Sequence, residues 1–303
     1  MFSEEVNQIL SISTDNKIKS LLITHETNYE FDAPVFIDPH YLRLRPRETP
    51  FNTLESFNLV ISPEPVRVDQ QYDAENNLVH FGWFERTYKS LNIRAESEVT
   101  LVKKNPFNFI LFPDGCSDIP FYYSLHLQSL LRASLSGDKI GDSLIAYGRS
   151  ILAGASCQTL NFITTLTRKI HTDFSRESRL EGDAFGADTT FKLRKGSCRD
   201  LSWMQIQLLR HMGIAARFVS GYYYLELEDS LPELHGWLEV YLPGAGWIGF
   251  DPSYGIIAGS CHIPICASSH YSNTMPVTGS FRGDASSTLA SKLQIRTLGQ
   301  ITT

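Results

Sequence analysis

Cys198 stands out first, because the residues around it predict a reactive thiol at the start of a helix. It lies in the run Gly196-Ser197-Cys198-Arg199-Asp200. Ser197 and Asp200 have the spacing of a helix capping box, and an apolar stripe follows them. Unpaired backbone N–H groups and the positive end of the helix dipole favour a thiolate, the reactive form of cysteine. We therefore predict that Cys198 is a nucleophile in the first turn of a helix.

A helix start alone does not ionise a thiol, since an unperturbed cysteine with a pKa of about 8.5 is only a few per cent thiolate at neutral pH. The missing base is predicted on a hairpin with strands at 235–242 and 247–252 and a turn at 243–246. This hairpin brings His235 close to Asp251. A carboxylate that accepts from one ring nitrogen leaves the other to take the thiol proton. The sequence thus predicts a catalytic triad of Cys198, His235 and Asp251.

The triad requires one particular register of the hairpin. Side chains alternate between faces, so His235 and Asp251 share a face only if directly paired residues have numbers with an even sum. A plain four-residue loop would pair Leu242 with Trp247, an odd sum, and would place the two on opposite faces. A five-residue loop that pairs Tyr241 with Trp247, or a glycine bulge, gives the required register.

Each triad residue also has an ordinary structural explanation. A lone cysteine is most often buried and inert, a histidine at a strand end is usually hydrogen-bonded there, and an aspartate before proline often forms a turn. The combination of the three favours catalysis. Asp200 is expected to cap the helix, and the core is expected to contain Trp203, Trp237 and Trp247. No role or partner is assigned to Arg199, His171, His262 and His270.

The elements that position these residues are predicted to form two domains, 1–112 and 113–303. The first contains predicted strands separated by proline- and asparagine-rich turns, typical of a β-sandwich: 21–31, 41–44, 56–61, 78–84 and 91–101. The second contains predicted helices at 121–135, 142–152 and 159–174, then the Cys198 helix, then strands between 215 and 250. This order gives an α+β fold class. The Ser- and Thr-rich tail from residue 280 is expected to wrap around the protein or to fray.

Composition narrows the possible functions. The net charge of −6 argues against a nucleic-acid partner. No run of about 18 apolar residues predicts a membrane helix, and the N-terminal residues do not resemble a secretory signal, so we expect a cytoplasmic location. Five widely spaced cysteines favour free thiols over a disulfide framework. No HExxH, GxSxG or phosphate-binding motif occurs, and we expect neither a metal nor a cofactor.

Several motifs resemble the bacterial transglutaminase-like family of cysteine peptidases and acyltransferases. They are GSCRD followed by Trp203, RFVSGY from Arg217, HGWLEVYLPGAGWIGFDP from His235 and HIP from His262. Tyr29-x-Phe31-x-x-Pro34-Val35 and the run from Leu42 to Arg47 are similar to the β domain that precedes the core in that family. The resemblance implies a papain-like core with Cys198, His235 and Asp251 as the triad. Two departures are Gly236, where the family more often has alanine, and residues 267–271, where many members carry Gly-Arg-Asp-Tyr.

The expected activity is that of a cysteine-dependent peptidase or amidase that forms an acyl-enzyme. Acyl transfer to an amine, as in transglutaminases, is the first alternative, and a non-catalytic interaction module on the same fold is the second. Hydrolysis is preferred because the chain lacks the long multidomain build of animal cross-linking enzymes. The expected partner is a peptide or protein substrate. The resemblance also implies an association with an ATP-grasp-like peptide ligase system.

Overall fold

Two antiparallel sheets build the N-terminal β-sandwich, as the predicted strands and the turns between them indicate. The computed structural model describes residues 18–179, 182–224 and 233–301; residues 1–17, and residues 225–232 of the predicted strand-rich segment, lie outside this part. The first sheet contains β1 (Ile18–Ile37), β3 (Asn52–Ser62), β6 (Thr87–Leu101), β15 (Phe281–Arg282) and β16 (Ser287–Ile301). The second contains β2 (His40–Leu42), β4 (Arg67–Tyr72), β5 (Leu78–Trp83) and β14 (Val277–Thr278).

Alternation along β6 explains how the sandwich forms. Leu91, Ile93 and Ala95 are buried at every second position, while the residues between them are polar and more exposed. A strand with one apolar face must cover it, and here residues of the second sheet, including Leu42 and Phe84, complete the core. The strand order is β15-β1-β6-β3 in the first sheet and β14-β2-β5-β4 in the second.

The C-terminal tail does not fray. Residues 287–301, which the sequence analysis placed in the second domain, pair along β1 from Phe31↔Ser287 to Ile18↔Ile301. The tail therefore returns to the N-terminal sheet. Its Ser and Thr residues suggest a loop by composition, but Thr is also a good strand former, and a β1 edge of this length offers a partner. The boundary at residue 112 stays a prediction.

The second half of the chain surrounds one central helix. The helices are α1 (Leu125–Leu130), α2 (Arg132–Leu135), α3 (Asp142–Gly154), α4 (Thr159–Asp173), α5 (Ala187–Leu193) and α6 (Cys198–His211). The predicted helix 121–135 is divided at Leu131 into α1 and α2. Every residue of α6 from Asp200 to Arg210 is buried, because helices pack on one side and a sheet on the other.

This sheet is antiparallel and has the order β12-β11-β10-β9-β13. Its strands are β9 (Ala216–Tyr223), β10 (Glu233–Leu242), β11 (Gly246–Asp251), β12 (Ile256–Ile257) and β13 (His262–Ser268). A separate parallel pair consists of β7 (Ser175–Arg176) and β8 (Lys195–Gly196), the latter directly before the Cys198 helix. The mixture of a β-sandwich, helices and an antiparallel sheet confirms the α+β prediction.

The hairpin of β10 and β11 has the even-sum register that the triad requires. Leu238 pairs with Phe250 and Tyr241 pairs with Trp247. The loop is shorter than expected, since Leu242 also pairs with Gly246. The turn closes with a 3.0 Å hydrogen bond from the Ala245 N–H to the Leu242 carbonyl, and Gly244 has φ of +85°. That positive φ is what a type II turn requires after proline, and it favours glycine.

Candidate active site

Cys198 is the first residue of α6, and a complete capping box holds the helix start. The Ser197 N–H and Oγ–H donate to Asp200 Oδ2 at 2.8 and 2.7 Å. Asp200 is fully buried and also accepts from the Phe185 N–H and the Arg179 guanidinium at 2.7 and 2.6 Å. Burial alone would raise the pKa of Asp200, but these donors hold it below its usual value. The predicted capping box is confirmed, and it fixes the start of α6, so that Cys198 is the first residue of the helix.

His235 lies on β10 with both ring nitrogens directed at functional groups. Its Nε2 lies 2.8 Å from Asp251 Oδ2, so Nδ1 is the nitrogen left for the Cys198 thiol. Among the described residues, no group makes a well-aligned hydrogen bond to Nδ1. Glu233 Oε1 nevertheless lies 3.2 Å from it. The structure thus brings the three predicted residues together, with one imidazole between a thiol and a carboxylate.

Asp251 is buried and fully hydrogen-bonded. Its Oδ1 accepts from the Ser253 N–H at 2.8 Å, and its Oδ2 contacts His235 and also His262 Nε2, at 3.0 Å. The Gly259 N–H points at His262 Nδ1 from 3.4 Å, which assigns the His262 proton to Nε2 and makes that nitrogen a donor to Asp251. Asp251 therefore receives three N–H donors in a site that excludes water.

The electrostatics favour an ionised Cys198–His235 pair. Burial would raise the pKa of Cys198, but the charge of the neighbouring His235 and the Gly236 N–H lower it overall. Burial would lower the pKa of His235, but Asp251 and Cys198 hold it well above its usual value. Burial would likewise raise the pKa of Asp251, and the two histidines lower it strongly instead. A thiolate beside an imidazolium is the reactive state of a cysteine nucleophile.

Aromatic rings enclose the His235 ring. Trp237 stacks on it with centroids 6.2 Å apart, and Tyr223 and Tyr254 lie 5.4 and 5.5 Å away. The predicted core positions of Trp203 and Trp237 are confirmed, since both are buried. Trp247 is only half-buried, with the Arg217 guanidinium 4.1 Å from its ring centre. The walls around the imidazole keep it oriented and limit its contact with water.

Sequence reasoning missed His262, to which it assigned no partner. His262 lies on β13, two strands away from His235 with β9 between them. Its register partner is Tyr223, which in turn pairs with Glu233 on β10. His262 is part of the HIP motif, one of the motifs that carry the family resemblance. The motif does not indicate its contact with Asp251, because that contact depends on the order of strands in the sheet.

Other candidates have structural partners. His171 Nδ1 lies 2.9 Å from the Ser253 carbonyl, and His270 packs against the Trp203 ring at 5.0 Å. Arg199 donates to the Arg179 carbonyl at 3.4 Å. At Gly236, a Cβ would lie 2.5 Å from the Phe218 ring. Phe218 therefore fills the space that the more usual alanine would need.

His235, Asp251 and His262 also lie close enough together to bind one metal ion, with potential ligand atoms within 4.8 Å of one another. Hydrogen bonding already accounts for this arrangement. Both Nε2 atoms point at the same carboxylate oxygen, at 2.8 and 3.0 Å, so an ion would have to displace two hydrogen bonds. We therefore describe the three residues as a hydrogen-bonded unit.

The length and apolar content of a helix determine whether it can cross a membrane. Among the described residues, no helix is both long and apolar enough to cross a bilayer.

Sequence comparisons identify related proteins for both halves of the chain. A protein of Mycobacterium bovis with no assigned function is 22% identical over 273 residues, which cover 85% of this chain and 86% of that protein. A protein-glutamine gamma-glutamyltransferase of Pseudomonas aeruginosa is 34% identical over 88 residues, 25% of this chain and 13% of that one.

One solved structure, described as that of a candidate cysteine protease from Cytophaga hutchinsonii, is similar over almost the whole chain. It has a TM-score of 0.70 and 18% identity, and the match covers 95% of this chain and 93% of that one. Residues 21–100 match the bacterial transglutaminase-like N-terminal region, and residues 146–252 match the transglutaminase-like superfamily. The chain therefore belongs to the transglutaminase-like superfamily and carries the N-terminal region found in its bacterial members.

Proposed function

We propose that this protein is a cysteine-dependent peptidase or amidase that cleaves amide bonds through a Cys198–His235–Asp251 triad and an acyl-enzyme. One observation carries the proposal. His235 lies between a buried carboxylate, 2.8 Å from Nε2, and a thiol at a capped helix start. A non-catalytic module would not need this arrangement, because a buried histidine–aspartate pair beside an ionised thiol is costly unless it is used.

The reaction would proceed in two steps. The Cys198 thiolate attacks the amide carbonyl carbon, and the proposed oxyanion donor is the Cys198 N–H at the helix start. His235 Nδ1 gives its proton to the amide nitrogen, the C–N bond breaks and the amine leaves. Water then attacks the thioester and transfers a proton to Nδ1. The C–S bond breaks, which releases the acid and restores the thiolate.

Transfer of the acyl group to an amine is the second candidate. An amine that replaces water in the second step forms a new amide, and the triad chemistry is otherwise the same. The match to a protein named as a protein-glutamine gamma-glutamyltransferase favours this alternative, although it spans only 25% of this chain. The likeness to the Cytophaga structure supports the fold and leaves the acceptor open.

The substrate we propose is a peptide or protein. A peptide made by an ATP-grasp-like ligase system is one source of such a substrate, and this association is a proposal from the family resemblance. A cytoplasmic location is likewise a prediction from the sequence.

The proposed function is tested by selective alkylation. Cys198 should react with iodoacetamide at pH 6 faster than the other cysteines, because burial raises its pKa but the His235 charge and the Gly236 N–H together lower it overall. Burial raises the pKa of Cys116, Cys261 and Cys266, the last to about 12, so these thiols should stay protonated. Peptide mapping by mass spectrometry measures each rate.

The control is Cys198→Ala, which should lose the fast phase and keep its fold. Equal rates at Cys198 and Cys116 would contradict the catalytic assignment. Incubating the active protein with casein and a fluorescent primary amine then separates the two activities: fragments indicate hydrolysis, and fluorescent casein indicates transfer.

A further inference from the structure

A second carboxylate approaches His235 on the side that faces the nucleophile. Glu233 is the first residue of β10, two positions before His235, so both side chains lie on the same face of the strand. Its Oε1 lies 3.2 Å from His235 Nδ1, while Asp251 Oδ2 lies 2.8 Å from Nε2. The imidazole therefore lies between two carboxylates, only one of which belongs to the triad.

Glu233 is held in this position by residues from two other parts of the chain. The Tyr254 hydroxyl, after β11, donates to Oε1 at 2.9 Å. The guanidinium of Arg176 on β7 forms an ion pair with Oε2, and its Nη1 donates to the Tyr254 hydroxyl at 2.9 Å. Tyr254 stacks on Tyr223 with ring centroids 4.3 Å apart. Arg176 and Tyr254, from two distant segments, thus both bind one carboxylate, which is more than a mobile surface glutamate receives.

We propose that Glu233 is a positioning residue of the active site: with Asp251 it holds the His235 ring between two carboxylates and keeps Nδ1 protonated after the thiolate charge is lost. This inference rests on the proposed function. When Cys198 becomes part of a tetrahedral adduct, its negative charge no longer faces Nδ1. Glu233 then supplies the nearby negative charge that holds the imidazolium until its proton reaches the leaving amine.

Several charged or titratable groups face this pair from the surrounding elements: Cys198, Asp251, His262, Arg176, Tyr223 and Tyr254. Burial alone would raise the pKa of Glu233, but His235, Arg176 and Tyr254 lower it to about 2, so it is ionised at neutral pH. The coupling is reciprocal: an ionised Glu233 favours protonated His235. Burial and Glu233 act to raise the pKa of Cys198, and His235 and the Gly236 N–H together lower it overall.

The effect of Glu233 on the pKa of His235 can be tested in a variant that lacks the Cys198 thiolate. In Cys198→Ala, which imitates the loss of the thiolate charge, His235 is titrated by NMR and compared with Cys198→Ala/Glu233→Gln. We expect His235 to lose its proton at lower pH in the double variant. Glutamine keeps the shape of the side chain at a partly exposed strand end, so the fold should be retained. Glu177→Gln in the same background is the matched control, since Glu177 pairs with Lys195 at the surface, and it should leave the His235 titration unchanged.

Alkylation gives a second readout in the protein with its thiol. Glu233→Gln should shift the acidic side of the pH profile of Cys198 alkylation to lower pH, because Asp251 still keeps His235 protonated there while a charge that raises the thiol pKa is removed. An unchanged His235 titration in the double variant would overturn the role of Glu233. If wild-type Cys198 reacts selectively and only the Glu233 effect is missing, this inference fails and the proposed function stands. If wild-type Cys198 is not selectively reactive, the proposed function fails.

Discussion

At the scale of single residues, Asp251 determines the charge state of the site. It is buried and receives N–H donors from His235, His262 and Ser253, so it stays ionised although water is excluded. Its charge favours protonated His235, which in turn favours the Cys198 thiolate. The ion pair therefore depends on a carboxylate that need not touch the thiol. Asp251 is expected to act by orienting and charging His235 rather than by taking a proton.

This dependence predicts the behaviour of Asp251→Asn. Removing the charge lowers the pKa of His235, which destabilises the thiolate, so the Cys198 alkylation rate at pH 6 should fall on the order of tenfold. His235→Ala should reduce it further, to the rate of an ordinary thiol, and should abolish turnover, while Asp251→Asn keeps a measurable part. Rates are measured by quenched alkylation and mass spectrometry. An Asp251→Asn protein that reacts like the wild type would remove Asp251 from the triad.

At the scale of elements, the packing of β9 against β10 explains why residue 236 is glycine. Gly236 pairs with Ser220, and a Cβ at 236 would lie 2.5 Å from Cζ of Phe218, which is itself buried. The large ring of Phe218 on β9 therefore requires a residue without a side chain at position 236 on β10. The departure from the family pattern at Gly236 is compensated within this pair.

The pair predicts a coupled effect on stability. Gly236→Ala should lower the free energy of unfolding by about 1–3 kcal/mol, because added atoms in a packed core force neighbours to shift. Adding Phe218→Leu should recover part of that loss, so that the double variant is more stable than the sum of the single effects predicts. Urea unfolding of the four proteins measures the coupling. Additive effects would mean that Phe218 is not what excludes alanine.

At the scale of the whole molecule, the β-sandwich and the transglutaminase-like core share a packed junction. Leu21 and Ile23 of β1 contact Ile263 of β13 and Tyr222 of β9, all buried. His25 Nδ1 lies 3.1 Å from the Tyr222 hydroxyl across the same junction. The side chain of Asn77 donates from Nδ2 to the Ala267 carbonyl and accepts at Oδ1 from the Ala267 N–H, both at 2.9 Å. The N-terminal β-sandwich thus packs against β13, the strand that contains His262.

The junction predicts that the two regions unfold together. Ile263→Ala should lower the free energy of unfolding by about 2–4 kcal/mol, since it leaves a cavity between them. Val60→Ala, on an exposed part of β3, should change it by less than about 0.5 kcal/mol. Far-UV circular dichroism and tryptophan fluorescence should give one coincident transition in the wild type. Two separate transitions would show that the junction does not couple the regions.

Local patterns in the sequence were sufficient for the features that depend on neighbours along the chain. The capping box at Ser197 and Asp200 involves residues three apart, and the hairpin follows from two strands around a glycine-containing turn. The sequence left its register open, and the structure decides it. His235 and Asp251 were predicted from that hairpin because only 16 positions separate them. Helix α6 was predicted from its apolar stripe and its cap. Interactions of this kind are fixed by backbone geometry over one or two turns or strands.

Tertiary structure decided the contacts between distant segments. His262 reaches Asp251 because β13 lies beside β9, Arg176 reaches Glu233 because β7 lies near the start of β10, and β16 returns to β1 from the far end of the chain. None of these follows from spacing, since strand order depends on which faces can be buried together. The sequence by itself determined where the candidate nucleophile and base lie, at a helix start and on a hairpin strand. The protein's three-dimensional packing determined which further charges surround them, because those charges come from segments that only the folded core brings together.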